Sequence, residues 1–245
     1  MLTQQRHQLI TEELERTGRV VSGELAQRYD LSEDTIRRDL RHLAAAGLCR
    51  RVYGGAVAPS AGPLIDRHAH LSAEKKKLAL EAVKFLRRGQ VIMVDAGSTN
   101  TAIIRAIPAH LNLTIVTNAI DIAAIVAVRD DLRLIVLGGD FVANAGACTG
   151  PETLAAIAHL HADVLLLGSC GVDPVAGVTA FEAGEAAVKR AMVAVSELVV
   201  VAATAEKLGT TAPYRVVETS GIGALVAMKG AGAAFGAAGV TVRDA

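Results

Sequence analysis

The chain has 245 residues, 51% of them apolar, which is enough for more than one buried core, and its 25 Lys+Arg balance 25 Asp+Glu. A molecule without net charge is no polycation, so any affinity for nucleic acid has to come from a local patch. Cys49, Cys148 and Cys170 are too few and too far apart for a disulfide framework or a CxxC metal pair. With no apolar signal core at the N-terminus and no uninterrupted membrane-length run, we expect a reduced, cytoplasmic setting and no membrane partner.

Thr3 to Arg16 reads as a helix, with Ile10 and Leu14 one turn apart and Gly18 as its stop. Val20-Val21 reads as a short extended link. Ser22 reads as the N-cap of a second helix to Tyr29, with Leu25 and Ala26 inward. After an Asp30-Leu31 turn, Ser32 caps a third helix whose Ile36, Leu40 and Leu43 form one apolar stripe. Asp34, Arg38 and Arg41 fall on the opposite side, Arg37 on the flank, and Gly47 ends the helix. Leu48–Tyr53 then reads as a strand, Gly54-Gly55 as a tight turn and Ala56-Val57 as the return strand.

Between Thr35 and Gly55 the five arginines Arg37, Arg38, Arg41, Arg50 and Arg51 outnumber one acid, Asp39. A basic helix after a helix and a turn, followed by an arginine-bearing hairpin, is the layout of a winged helix-turn-helix on double-stranded DNA. The start of the third helix reaches base edges, and guanidinium groups meet phosphates or guanine. The candidate DNA contacts are Ser22, Ser32, Thr35, Arg37, Arg38, Arg41, Arg50, Arg51 and Tyr53. The stretch LAQRYDLSEDTIRRDLRHLAAAGLCRRVYGGAV resembles the DeoR family of bacterial transcriptional regulators. That family's hallmark is a TIRRDL recognition helix and a hairpin ending in Gly-Gly-Ala, here Thr35–Leu40 and Gly54–Ala56.

Ala58-Pro59-Ser60-Ala61-Gly62-Pro63 breaks the composition. We read residues 58–70 as a linker between a DNA-binding domain, 1–57, and a larger domain, 71–245. A helix is expected from Ser72 to Arg88, with Lys75, Lys76 and Lys77 solvated or interfacial in its first turns. Strands are expected at Val91–Val94, Thr114–Thr117, Leu132–Leu137, Val164–Leu167, Leu198–Ala203 and Gly223–Ala227, and a last one at Val240–Arg243. Helices are expected near 99–107, 118–128, 151–160 and 181–196. Near-continuous apolar strands between helices predict an α/β domain with a mostly parallel sheet covered on both faces. GAGAAFGAAG near the end reads as a poor helix.

Polar residues gather where these strands end. Asp95, Gly97, Ser98, Thr99 and Asn100 sit between a strand and a helix N-terminus, a setting that suits a phosphate or carboxylate. Thr117-Asn118, Gly138-Gly139-Asp140 and the GSCGVD segment, 168–173, are further polar ends on the same edge, the place where open α/β sheets hold ligands. Lys189 and Lys207 stand near these ends as candidate cations.

VDAGSTN, TNAIDIA, VLGGDF, GVDPVAGVT, AAVKRAM and EKLG recur in order as in the DeoR-type sensor domain. The resemblance implies a fold similar to ribose-5-phosphate isomerase and CoA-transferase sheets, and a phosphorylated sugar or polyol effector. It places Asp95, Gly97, Ser98, Thr99, Asn100, Gly138, Gly139, Gly171, Lys189 and Lys207 at the pocket, and it implies a repressor of a sugar or polyol operon. A homo-oligomer, dimer or tetramer, on repeated or palindromic half-sites is expected. The chain departs from the family at Thr204, where an Asp is usual, at Asn100, where a second Thr is usual, and at Val226-Ala227-Met228 in place of a final Thr-Asp. Two alternatives are a DNA-binding scaffold with a silent sensor and a sugar-phosphate isomerase using Cys148 and Asp173. No carboxylate pair, triad or metal cluster appears at a telling spacing, so no catalytic residue, cofactor or metal is expected.

Overall fold

The computed structural model describes residues 2–17, 19–52, 54–57 and 72–245. Tyr53 and the expected linker, 58–70, lie outside the described residues, as does the side chain of Arg50. The chain divides into two units, 1–62 and 63–245.

In the first unit, α1 (Thr3–Thr17), α2 (Ser22–Tyr29) and α3 (Glu33–Ala45) close on a small core of Ile10, Leu14, Leu25, Ile36, Leu40 and Leu43. The stripe read from the sequence of α3 is its buried face. Ser32 caps that helix, its Oγ accepting the Thr35 amide at 3.2 Å. At the other end Gly47 takes φ 72°, and the amides of Gly47 and Leu48 turn back to the carbonyls of Ala44 and Leu43, a Schellman cap.

The N-cap reading of Ser22 is corrected. Val21 occupies the cap position without a side-chain bond, and Ser22 is the first helical residue, 2% exposed, its amide donating to the Gly54 carbonyl at 2.6 Å. The expected link is also a strand. β1 (Arg19–Val21) pairs antiparallel with β3 (Gly55–Val57), and β3 pairs with β2 (Arg50–Val52). This third strand explains the double glycine. Gly54 turns the hairpin at φ 81°, while a Cβ on Gly55 would lie 2.0 Å from the Val20 carbonyl oxygen, so β1 can approach only a glycine there.

The second unit runs α4 (Ala73–Ala82), β4 (Val91–Val94), α5 (Ser98–Ala106), β5 (Thr114–Thr117), α6 (Ile120–Val126), β6 (Arg133–Val136), β7 (Asp140–Val142), β8 (Ala147–Thr149), α7 (Pro151–Ala158) and β9 (Ala162–Leu167). It continues with β10 (Gly171–Asp173), β11 (Gly177–Ala180), α8 (Ala183–Ala194), β12 (Ser196–Ala202), β13 (Tyr214–Val217), β14 (Ala224–Ala227), α9 (Ala233–Ala237) and β15 (Thr241–Asp244). Seven strands form one parallel sheet in the order β15-β14-β12-β9-β4-β5-β6. Alternate strand residues serve two cores. Met93, Leu165 and Val201 pack with Ile157, Val188 and Phe235 of α7, α8 and α9; Ile92, Val94 and Leu166 pack with Leu78, Ile103 and Ile122 of α4, α5 and α6. The sheet is therefore doubly wound. Its chain order reverses between β4 and β9, and the C-terminal ends of those strands open the crevice where such sheets bind ligands.

Several expectations change. The helix from Ser72 is shorter than read: α4 ends at Ala82 and tightens into a 3-10 turn, Val83–Phe85, before Gly89 reverses the chain at φ 80°. Part of GSCGVD is a strand, β10, in a separate antiparallel sheet β10-β11-β13, and β7 with β8 forms a further hairpin. The Gly/Ala tail contains the five-residue α9, anchored by Phe235 at 2% exposure. A Cβ at Gly232 would come within 2.6 Å of Val242 Cγ1, so small residues let this helix sit close to β15.

Candidate functional site

On the first unit, Ser32, Asp34, Arg37, Arg38 and Arg41 of α3 and its cap are exposed, and Thr35 is half-buried. Arg37 is braced on its own helix by Glu33 at 2.6 Å and Asp34 at 3.5 Å. The guanidinium groups of Arg38, Arg41 and the exposed Arg51 of β2 make no hydrogen bond or ion pair with any described residue. Ser22, in contrast, is buried at the root of α2 and is withdrawn from this face.

Asp39 belongs to the interior. It is 4% exposed and receives Arg6 through Nε at 2.6 Å and Nη2 at 3.0 Å, with His7 Nε2 at 2.9 Å. Burial raises the Asp39 carboxyl, but Arg6 and His7 outweigh it and hold the acid below its usual range. The one acid among the arginines is thus neutralised inward, which leaves the outer face of α3 more basic than a residue count implies. A sequence signal existed: 36, 39, 40 and 43 share one helical face.

In the second unit the crevice between β4 and β9 holds a buried ion pair. Lys189 of α8 points its ammonium at Asp95, which follows β4; each residue is 2% exposed. The same ammonium donates to the Gly168 carbonyl at 3.1 Å and lies 3.3 Å from Glu185 Oε1. The Gly168 amide donates to Asp95 Oδ2 at 2.9 Å. A Cβ on Gly168 would fall 2.2 Å from the Ala96 carbonyl oxygen, so the two strand ends meet only because a glycine stands there. Burial works against the charge on Lys189, yet Asp95 and Glu185 outweigh it and hold the ammonium above its ordinary value. Burial pushes the Asp95 carboxyl up against the pull of that ammonium. Two oxygens accept hydrogen bonds from Lys189, and Glu185 adds a second negative charge beside it.

Lys207 stands in the 3-10 turn after β12, preceded by Thr204, and donates to the Ser169 carbonyl at 2.7 Å. Burial lowers its ammonium, opposed by Cys170 and Glu206 and helped by Lys75 and Lys189. Across the crevice Gly97 enters α5 at φ 145°, and neither Ser98 nor Thr99 supplies a side-chain cap, so the first amides of that helix lack side-chain partners. Thr99 and Asn100 are buried. The Asn100 amide donates to the carbonyls of Asp95 at 2.8 Å and Leu166 at 2.9 Å, and so ties β4 to β9.

The glycines expected at the pocket have packing duties. Gly139, at φ 137°, would drive a Cβ to 2.1 Å from Thr153 Oγ1, and that hydroxyl donates to the Gly138 carbonyl at 2.6 Å. Gly171 lies in β10, where a Cβ would sit 2.5 Å from the Thr210 carbonyl oxygen. The geometry joins Asp95, Gly168, Glu185, Lys189, Ser169 and Lys207 into one cluster. Gly168 and Ser169 were read from the sequence only as part of the polar GSCGVD end, and Glu185 was not singled out, because a fold is needed to bring residues from three strand ends together.

Together the two units define a class of protein: a winged-helix DNA reader carried on the same chain as a doubly wound domain with a polar crevice. The DeoR-like helix-turn-helix domain matches residues 6–61 and the DeoR C terminal sensor domain matches residues 71–228. The glycerol-3-phosphate regulon repressor of Escherichia coli (strain K12) is 34% identical over 85% of this chain and 84% of its own length. The repressor of the same description from Haemophilus influenzae is 31% identical over 89% and 86%. The chain belongs to the DeoR family. Among solved structures, ribose 5 phosphate isomerase A from Neisseria gonorrhoeae is similar at 19% identity and a TM-score of 0.39 over 57% of this chain and 56% of that one; the fold class rests on the strand order itself.

The protein is a DNA-binding transcription regulator, not an enzyme, and its larger unit is the family's sensor domain. Cys148 is buried in β8, its thiol raised by burial and by Asp140, and Asp173 Oδ1 accepts the Val175 and Ala176 amides of a turn at 2.9 and 2.8 Å. No helix among the described residues is long and apolar enough to cross a membrane.

Proposed function

We propose that the protein is a cytoplasmic repressor of a sugar or polyol operon, and that a phosphorylated sugar or polyol in the crevice loosens its hold on operator DNA. The observation that carries the ligand reading is the uncapped start of α5 at the sheet's switch point, with Lys207 tethered to the opposite strand end. An anionic phosphate gains there from unpaired amides, the helix dipole and one ammonium. Gly97, Ser98 and Lys207 contact the anion. Asp95, Asn100, Lys189 and the glycines 138, 139 and 171 shape the walls. The relatives named for the glycerol-3-phosphate regulon support a phosphorylated polyol as the ligand class.

On the other unit, Arg38, Arg41, Arg50 and Arg51 neutralise phosphates. Ser32, Thr35 and Arg37 at the start of α3 lie where a recognition helix meets base edges. A dimer or tetramer matches a two-fold operator. The effector works by differential affinity, binding the form with poor DNA geometry more tightly. A thermal-shift screen of phosphorylated polyols and sugars tests this. A true effector at one hundred times its Kd stabilises the protein by about 2.7 kcal/mol, and Lys207→Ala removes the shift. A screen in which no phosphorylated compound moves the midpoint overturns the ligand reading.

A further inference from the structure

Two buried polar atoms beside the proposed anion site have no hydrogen-bond partner among the described residues. Asn118 directly follows β5, the neighbour of β4 on one side; Ser169 stands two residues past β9, its neighbour on the other. Thr117 and Leu166 are both in register with Val94, so Asn118 stands level with Asp95, Gly168 and Ser169 lie one and two residues beyond that level, and both strand ends flank the turn that leads into α5. Asn118 is 2% exposed. Its Nδ2 donates to the Cys148 carbonyl at 2.8 Å, which settles the amide orientation and leaves Oδ1 without a donor. Ser169 is 8% exposed, and its Oγ has no partner, although its carbonyl holds Lys207. Burying such atoms without a partner forfeits their hydration with nothing in return, so a native protein retains them where something else completes them.

We infer that Asn118 Oδ1 and Ser169 Oγ form a hydroxyl-recognising half of the effector crevice. This deepens the phosphate reading above and rests on it. An amide oxygen only accepts, so its ligand partner has to donate; a serine hydroxyl does either. An alcohol supplies both needs, and a carboxylate or a bare alkyl chain does not. The crevice therefore selects phosphate monoesters with free hydroxyls near the phosphate. Sites built to pair a hydroxyl reject the analogue that lacks it, because the protein atoms are then left buried and unpaired.

Calorimetry on the full chain tests this with glycerol 3-phosphate, ribose 5-phosphate and glucose 6-phosphate against n-propyl phosphate and inorganic phosphate. The wild-type protein is expected to prefer at least one hydroxylated ester over propyl phosphate by about tenfold or more. Ser169→Ala, which leaves the carbonyl bond to Lys207 in place, is expected to reduce that preference to about threefold or less while propyl phosphate binds as before. Asn118→Ala should do the same, with circular dichroism reporting whether the loss of its bond to Cys148 disturbs the fold; Ser169→Ala decides the matter if it does. If esters bind and Ser169→Ala leaves the preference intact, or weakens all phosphates alike, the hydroxyl subsite is wrong and the anion site stands. If the wild type binds none of the five, both readings fall.

Discussion

The ammonium of Lys189 meets the carboxylate of Asp95 inside the sheet domain, across the point where the strand order reverses. Two charges brought out of water at one place tie α8 to the end of β4, and the Gly168 amide and carbonyl complete the knot. Both residues stand at the crevice, and their partners make them its frame.

Removing one partner strands the other. Lys189→Met should destabilise the protein by about 3–5 kcal/mol, because Asp95 is left buried and unpaired. Asp95→Asn combined with Lys189→Met should cost less than the two single changes summed. Urea unfolding of the four proteins measures this, and additive costs would mean that the pair is not coupled.

Lys207 should behave in the opposite way. Its side chain is only partly buried and has one carbonyl acceptor, so Lys207→Ala should change stability little and abolish the response to phosphate esters. Burial lowers its ammonium, so the positive charge is lost at a lower pH than for an ordinary lysine, near 10.4. Ester affinity of the wild type should therefore weaken on raising pH before a free lysine would titrate. Calorimetry between about pH 7 and pH 10 reads this out; a flat profile contradicts Lys207 as the anion's cation.

The buried Asp39 makes the DNA-binding unit acid-sensitive. Arg6 and His7 hold its carboxyl below the unfolded value of about 3.9. A depressed carboxyl contributes stability that is present above the unfolded value and is lost as pH falls through the folded one. Unfolding of α1–α3 followed by amide exchange should show stability falling below about pH 4, and Asp39→Asn should remove that part of the dependence at the cost of lower stability at neutral pH.

The two wing glycines should fail differently. Gly54→Ala adds a side chain at φ 81° in open space and should cost about 1 kcal/mol of backbone strain. Gly55→Ala meets the Val20 carbonyl and should detach β1 from the wing. A loss of DNA affinity larger for Gly55→Ala than for Gly54→Ala, at matched helix content, checks the three-stranded wing.

Much of this was legible in the chain. The stripe Ile36-Leu40-Leu43 gave α3 its buried face, and unbroken apolar runs such as Val91–Val94 could only be inner strands of a parallel sheet. The short strands β7, β8, β10, β11 and β13 were missed because three or four residues are too few to show a period. Ser22 misled because a serine before a helix reads as a cap even where β1 continues to its doorstep. Asp39 shares the buried face of α3 with Ile36, Leu40 and Leu43, but its partners, like that of Glu185, were hidden for another reason. Nothing local distinguishes an acid on a surface from one whose cation lies 33 residues or one helical turn away, and only packing decides.

The most direct test of the regulator is a fluorescence-anisotropy titration of the promoter beside its own gene across a salt series. The wild type should bind with a steep salt dependence, and Arg38→Ala and Arg41→Ala should each weaken binding and reduce the slope by about 1. Arg37→Ala should do less, because Glu33 and Asp34 already hold that guanidinium. Equal affinity and slope for wild type and the Arg38→Ala/Arg41→Ala protein would contradict α3 as the recognition helix.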